Sequence, residues 1–179
     1  AFGELRGPAL SENVILSSAN SINIGRLVPQ IFYYYSAYTQ LLKMGRIRIG
    51  DKVDCVIPTG NFGDILAGYY AKKIGLPVGK LICASNANNV LTDFIRTGTY
   101  DRRRNLHKTL SPSMDILVSS NLERLLYLMS GCDTAMVSAL MEQLNRDGSY
   151  TVPEKLLQEI QSVFWAGCCD DAATAETIR

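Results

Sequence analysis

Seven consecutive residues, Pro58 to Asp64, have the composition of a phosphate-binding loop. The segment reads Pro-Thr-Gly-Asn-Phe-Gly-Asp and lies between an apolar run, Val53–Ile57, and a helical pattern. Two glycines let the main chain turn tightly and direct several N–H groups into one concavity, and the following helix adds the positive end of its dipole. No Gly-Lys-Ser/Thr triplet follows, so the loop is not that of a nucleotide-hydrolysing P-loop. It indicates either a phosphate that is held rather than cleaved, or a plain turn between strand and helix.

A second polar cluster, Ser17–Asn23, precedes Arg26 and follows an apolar run, Asn13–Leu16, that predicts a strand. In open parallel sheets the ends of the strands form the ligand-binding edge. An arginine there can bind the oxygens of an anion through two hydrogen bonds. Serine and asparagine are also the preferred residues at helix N-termini, and from the residues alone capping is the favoured interpretation of this cluster.

Two other polar stretches have ordinary explanations. Ala84–Asn89 ends a third apolar run and precedes a helical pattern; it could line the same cleft or cap the next helix, and capping is the favoured interpretation. Arg102–Arg104, with His107 nearby, is interpreted as a solvated loop because 18 basic residues are almost balanced by 17 acidic ones, a net charge of +1. That balance gives no electrostatic reason to bind nucleic acid or an anionic membrane.

The elements that must position these clusters alternate between short apolar runs and helical patterns. This alternation predicts an α/β fold with an open, mostly parallel sheet and helices on both faces. Residues 98–112 are interpreted as a long loop, and residues 132–179 as the helical C-terminal portion of the same unit, with a capping box at Thr151 and Glu154. The predicted strands are Asn13–Leu16, Val53–Ile57, Lys80–Ala84 and Asp115–Val118.

Composition is consistent with one folded α/β segment over residues 1–179. Hydrophobic residues make up 47% of the chain and charged residues 20%, which excludes wholesale disorder. Five cysteines without a CxxC pair, and one histidine, argue against a disulfide framework and against a zinc site. Reduced cysteines favour a cytoplasmic location, and no membrane span or signal peptide is expected.

Taken together, the segments resemble threonine synthase, a pyridoxal-phosphate (PLP) enzyme of fold type II. Several separated motifs in the same order make the resemblance specific, and it covers most of the chain. The motifs are LSSANSINIGRLVPQIFYY at Leu16–Tyr34, PTGNFGDILAGYYAKKIGLP at Pro58–Pro77, LICASNANNVLTDFIRTG at Leu81–Gly98, SPSMDI at Ser111–Ile116 and SSNLERLL at Ser119–Leu126.

The resemblance implies that O-phospho-L-homoserine and water are converted to L-threonine and phosphate, the reaction of a carbon–oxygen lyase in threonine biosynthesis. It also implies two groups of binding residues. The phosphate of the cofactor, pyridoxal 5'-phosphate, would be held by Gly60, Asn61, Phe62, Gly63 and Asp64. The phosphate of the substrate would be held by Ser18, Asn20, Ser21 and Arg26.

One central part of the family pattern is missing. The family binds its cofactor covalently through a lysine in a Ser-Phe-Lys-Asp-like motif, and neither this motif nor a Thr-Ser-Gly-Asp-Thr-Gly-like turn occurs here. The expectation is therefore a central fragment of a longer enzyme, with no catalytic lysine of its own and inactive alone.

Two alternatives remain open from the sequence. Another type II PLP enzyme, such as an amino-acid dehydratase, would not need an anion-binding Arg26. A non-catalytic domain that binds a phosphorylated ligand would lack the lysine motif in its full-length protein as well.

Overall fold

The computed structural model describes residues 22–179, which form seven α-helices and five β-strands. In chain order these elements are α1 (Ile24–Lys43), β1 (Val53–Pro58), α2 (Gly63–Ile74), β2 (Val78–Ser85), α3 (Val90–Thr97), β3 (Thr99–Asp101), α4 (Leu122–Met129), α5 (Thr134–Asp147), β4 (Ser149–Thr151), α6 (Glu154–Val163), β5 (Phe164–Cys168) and α7 (Asp171–Ile178). None of the helices is both long and apolar enough to cross a membrane. The predicted strand Asn13–Leu16 lies outside the described residues.

The main sheet has the order β1-β2-β5, and both pairs of strands are parallel. The prediction of an α/β fold with a parallel sheet is therefore confirmed. At its carboxyl end Pro58 of β1 pairs with Ala84 of β2, and Ser85 pairs with Cys168 of β5. Because parallel strands end at the same edge, the loops that follow β1 and β2 lie side by side.

Helix α2 covers one face of the sheet closely. A Cβ added to Gly68 would stand 2.8 Å from the Tyr34 ring of α1 and 2.9 Å from Leu81 of β2, so a larger residue has no room there. On the same face Phe164 of β5 packs against Tyr69, with ring centroids 5.8 Å apart. Apolar burial on this face is what fixes α2, and therefore the loop before it, against β1 and β2.

The opposite face is uncovered within residues 22–179. Val56 precedes the buried Ile57 and Trp165 follows the buried Phe164 in their strands, yet they remain 65% and 60% exposed. The sheet order accounts for this exposure within residues 22–179, because the connections from β1 to β2 and from β2 to β5 advance in the same direction, and right-handed crossovers place their helices on the same face.

Four local predictions are wrong in whole or in part. Asp115–Val118 is not a strand. It follows a 3₁₀ turn at Pro112–Met114, and the Asp115 carboxylate accepts hydrogen bonds from Asn86 and Thr109 in neighbouring loops. The capping box is absent, since the N-cap of α6 is Pro153, which makes no side-chain capping bond. Nor is the helical C-terminal portion uniform. Strand β4 pairs with β3 in the stretch predicted as a long loop, and β5 extends the main sheet.

Candidate phosphate-binding site

The loop between β1 and α2 is anchored by hydrogen bonds at Thr59 and closely packed at Gly60. The main-chain N–H of Thr59 donates to the carbonyl of Ala84 at 2.8 Å, and its hydroxyl donates to the carbonyl of Ile57 at 2.7 Å. At Gly60 a Cβ would stand 2.9 Å from the carbonyl oxygen of Ser113 and 3.2 Å from the Cα of Met114. Glycine is therefore required at position 60 because another segment of main chain approaches it closely.

Phe62 gives the loop its shape. It is the N-cap of α2, with φ 60° and ψ 9° in the left-handed region, and it makes no side-chain capping bond. Its ring is only 1% exposed and lies 5.7 Å from the ring of Phe164, so core packing compensates for the unfavourable main-chain conformation. The side chain of Phe62 does not cap the first N–H groups of α2. These groups can therefore donate to an anion at the positive end of the helix.

Arg26 and the loop line one open cavity of about 160 Å³. Arg26 projects from the first turns of α1, whose N-cap Asn23 accepts a hydrogen bond from the N–H of Gly25 at 2.9 Å. The structure thus brings together Arg26 and Gly60–Asp64, two sets predicted separately from the sequence. The other three residues of the predicted substrate site, Ser18, Asn20 and Ser21, lie outside the described residues.

The side chain of Asn61 faces the segment before α4. Its Oδ1 accepts hydrogen bonds from the N–H of Ser120 at 2.9 Å and from the Ser120 hydroxyl at 2.6 Å. Its carbonyl accepts from Nδ2 of Asn121 at 3.0 Å, and the hydroxyl of Ser119 donates to the carbonyl of Gly60 at 2.6 Å. These three residues position the loop. The sequence around Ser119–Asn121 does not predict this positioning role, because it depends on contacts with residues about 59 positions away along the chain.

Asp64 is tied to α1 rather than directed at the cavity alone. The hydroxyl of Tyr34 donates to the Asp64 carbonyl at 2.8 Å and to its carboxylate Oδ1 at 3.2 Å. Burial raises the pKa of Asp64, while the hydrogen bond from Tyr34 opposes that rise. Burial, followed by the nearby Asp64, raises the pKa of Tyr34, which keeps the phenol protonated as a donor. The tyrosine run predicted as core packing thus also fixes the first turn of α2.

The asparagines after β2 do not cap α3. The N-cap residue, Asn89, makes no side-chain capping bond. Instead Asn86 and Asn88 donate to the carboxylate of Asp115 at 2.7 Å and 2.9 Å. This contact links the loop after β2 to the segment that lies against Gly60, and it replaces the capping role predicted from the sequence.

The basic stretch forms ion pairs at the surface. Arg103 pairs with Asp101 at 2.9 Å, and Arg104 pairs with Asp93 at 2.7 Å. Within residues 22–179 no group of three or more histidine, cysteine or acidic side chains is arranged to hold a metal ion.

The chain is similar to threonine synthases over most of its length, although no protein-family profile matches it. Threonine synthase-like 1 of Macaca fascicularis is 53% identical over 166 residues, which cover 92% of this chain and 22% of that protein. Threonine synthase of Eremothecium gossypii is 41% identical over 175 residues, covering 92% of this chain and 33% of that protein. The crystal structure of PLP-bound threonine synthase from Brucella melitensis matches with a TM-score of 0.84 and 46% identity, over 91% of this chain and 34% of that one.

These similarities confirm the resemblance to threonine synthase that the motifs predict, in sequence and in fold. The chain spans between 22% and 34% of the length of these relatives. It therefore corresponds to a segment of proteins of this kind.

Proposed function

We propose that this chain is the phosphate-holding part of a threonine synthase, which converts O-phospho-L-homoserine and water to L-threonine and phosphate. The observation that carries the proposal is the single cavity shared by Arg26 and the Gly60–Asp64 loop. Substrate and cofactor of this reaction each bring a phosphate group, and the cavity has two different means of binding one. Similarity to threonine synthases over about nine-tenths of the chain supports the assignment.

The loop fits the phosphate of pyridoxal 5'-phosphate. It offers main-chain N–H groups at the N-terminus of α2, where the N-cap residue Phe62 has left-handed main-chain angles and makes no side-chain capping bond. Donors without a lysine suit a group that is anchored and never cleaved. When bound, the cofactor supplies an electron sink for the departure of the leaving group. In this proposal Gly60, Asn61, Phe62 and Gly63 hold its phosphate through the main chain, and Asp64 contributes the N–H of the first helical turn.

Arg26 suits the phosphate of the substrate. A guanidinium group forms short, charge-assisted hydrogen bonds to two phosphate oxygens and stabilises the negative charge of the leaving phosphate. We propose that Ser18, Asn20 and Ser21 complete this subsite with small donors. In this proposal side chains bind the substrate phosphate, which leaves as product. Main-chain N–H groups bind the cofactor phosphate, which stays in the site.

The lysine that attaches the cofactor is proposed to lie in the portion of the full-length protein that this chain does not span. Seven lysines occur in the chain, and none of them lines the cavity of Arg26 and the loop. The segment alone is therefore expected to be inactive. We further propose a cytoplasmic location, because all five cysteines are free and three of them are exposed.

The test is an assay of the full-length protein with PLP. We expect stoichiometric release of L-threonine and phosphate from O-phospho-L-homoserine, and no turnover without cofactor. Turnover of unphosphorylated L-threonine or L-serine alone would assign the protein to the dehydratases. Binding of a phosphorylated ligand without any turnover would assign it to the non-catalytic class.

A further inference from the structure

We propose that Asp115 is a positioning residue for the phosphate loop. Its carboxylate holds the turn at Ser111–Ile116 against Gly60 and thereby fixes the loop after β1 relative to the loop after β2. The proposal rests on the proposed phosphate-binding role of Gly60–Asp64, and Asp115 itself does not line the cavity of Arg26 and the loop.

Four hydrogen bonds converge on the carboxylate of Asp115. Oδ1 accepts from Asn86 Nδ2 at 2.7 Å, from Asn88 Nδ2 at 2.9 Å and from the hydroxyl of Thr109 at 2.8 Å. Oδ2 accepts from the main-chain N–H of Thr109 at 2.9 Å. The hydrogen bond from the main-chain N–H of Thr109 is the main cause that lowers the pKa of Asp115. The side chain is therefore an ionised acceptor at neutral pH. A carboxylate suits four donors because both of its oxygens only accept.

The turn that carries Asp115 is compact. The N–H of Met114 donates to the carbonyl of Ser111 at 2.9 Å, and the N–H of Asp115 donates to the carbonyl of Pro112 at 3.2 Å. The Ser113 carbonyl and the Cα of Met114 are the atoms that leave no space for a side chain on Gly60. Whatever anchors Asp115 therefore also sets how closely this turn approaches the loop.

The same segment continues into the residues that bind the loop. Four positions after Asp115, Ser119 donates to the carbonyl of Gly60, and Ser120 and Asn121 donate to Asn61. On its other side, Asp115 is bound to asparagines from the loop after β2. The carboxylate thus joins two neighbouring loops at the edge of the sheet where the cavity lies.

Hydrogen exchange in the full-length protein tests this role without depending on activity. The amides of Ser120 and Asn121 both donate to Asn61, so their exchange reports how firmly the segment grips the loop. For Asp115→Asn we expect these amides to exchange about tenfold faster, because an amide can accept through one oxygen only. Thr109→Val removes one donor to the carboxylate and is expected to give a smaller change of the same sign. Asp147→Asn, which disrupts an exposed ion pair with Arg146, serves as the control.

The apparent Kd for PLP is measured on the same proteins. We expect it to rise about tenfold for Asp115→Asn while exchange within α5 stays at the wild-type rate. Unchanged exchange at Ser120 and Asn121 would overturn the proposal, as would an equal acceleration in α5, which would reveal loss of global stability only. If Asp115→Asn does not fold, Thr109→Val decides by the same readouts. Faster exchange at Ser120 and Asn121 in a protein whose wild type binds no PLP would uphold the positioning role and refute the proposed function.

Discussion

Gly60 lies against the main chain of Ser113, whose carbonyl oxygen would be 2.9 Å from a Cβ at position 60. Phosphate binding by main-chain N–H groups requires a loop that holds its shape without the ligand, since the donors cannot rearrange as a side chain can. Here the required shape comes from a segment more than fifty residues further along the chain. The relationship makes Gly60 a point at which a single methyl group should disturb the site.

Gly60→Ala should weaken cofactor binding. The added methyl group must displace the turn at Ser113, at a cost of about 1–3 kcal/mol, and the loop then loses the geometry that directs its N–H groups. We expect the apparent Kd of the full-length protein for PLP to rise by about tenfold or more. Gly167→Ala is the matched control, because a Cβ there meets no atom within 4 Å. Equal affinities for the two variants would show that the contact with Ser113 does not shape the site.

Arg26→Ala should raise KM for O-phospho-L-homoserine and lower kcat in the full-length protein. The guanidinium binds the phosphate in the ground state and stabilises it as it leaves, and charge-assisted hydrogen bonds contribute about 1.5–3 kcal/mol. We expect kcat/KM to fall by about 10- to 100-fold. Arg26→Lys should recover only part of the loss, because an ammonium group cannot bind two oxygens as a planar fork. Steady-state kinetics that match those of the exposed Arg46→Ala variant would remove Arg26 from the site.

Tyr34→Phe should destabilise the fold and alter its pH dependence. Loss of the hydrogen bonds to Asp64 is expected to lower the free energy of unfolding by about 1–2 kcal/mol. Because the folded-state pKa of Asp64 is raised, its contribution to stability is present below the ordinary Asp pKa and is lost as pH rises through the folded-state pKa. The hydrogen bond from Tyr34 opposes the rise, so in Tyr34→Phe this loss should shift to higher pH. Urea unfolding across the acid range measures the shift.

Asp64→Asn provides the control for that experiment. It has no carboxyl to titrate, so the part of the pH dependence that belongs to Asp64 should disappear. If the pH profile of Asp64→Asn equals that of the wild type, the burial of this carboxyl does not affect stability.

Cys83 should resist alkylation in the native state. Burial raises the pKa of its thiol to about 11. The side chain is fully buried on the face of the sheet that packs against α2. The protein is treated with an alkylating reagent at about pH 8, near the ordinary thiol pKa, and its peptides are analysed by mass spectrometry. We expect label on Cys132, Cys168 and Cys169, which are exposed. Labelling of Cys83 at the same rate as Cys132 would indicate that β2 is not packed as described.

Local patterns in the sequence predicted the parts of the fold that depend on neighbouring residues. The strand–loop–helix unit around Gly60 follows from an apolar run, two glycines and a helical period, and all three act within about twenty residues. Strand β5 was missed because Phe164 continues the apolar period of α6, and only pairing with β2 makes it extended. The contacts of Asp115 and of Ser119–Asn121 were missed because each joins segments far apart in the chain. Polar residues that serve such contacts resemble caps when only their neighbours are considered.

The position of the cofactor phosphate in a crystal structure of the full-length protein with PLP tests the central claim most directly. We predict phosphate oxygens within about 3 Å, the usual hydrogen-bond distance, of main-chain nitrogens in the Gly60–Gly63 loop, with Arg26 facing the same cavity. A phosphate held elsewhere, with these nitrogens beyond hydrogen-bond distance, would contradict the account.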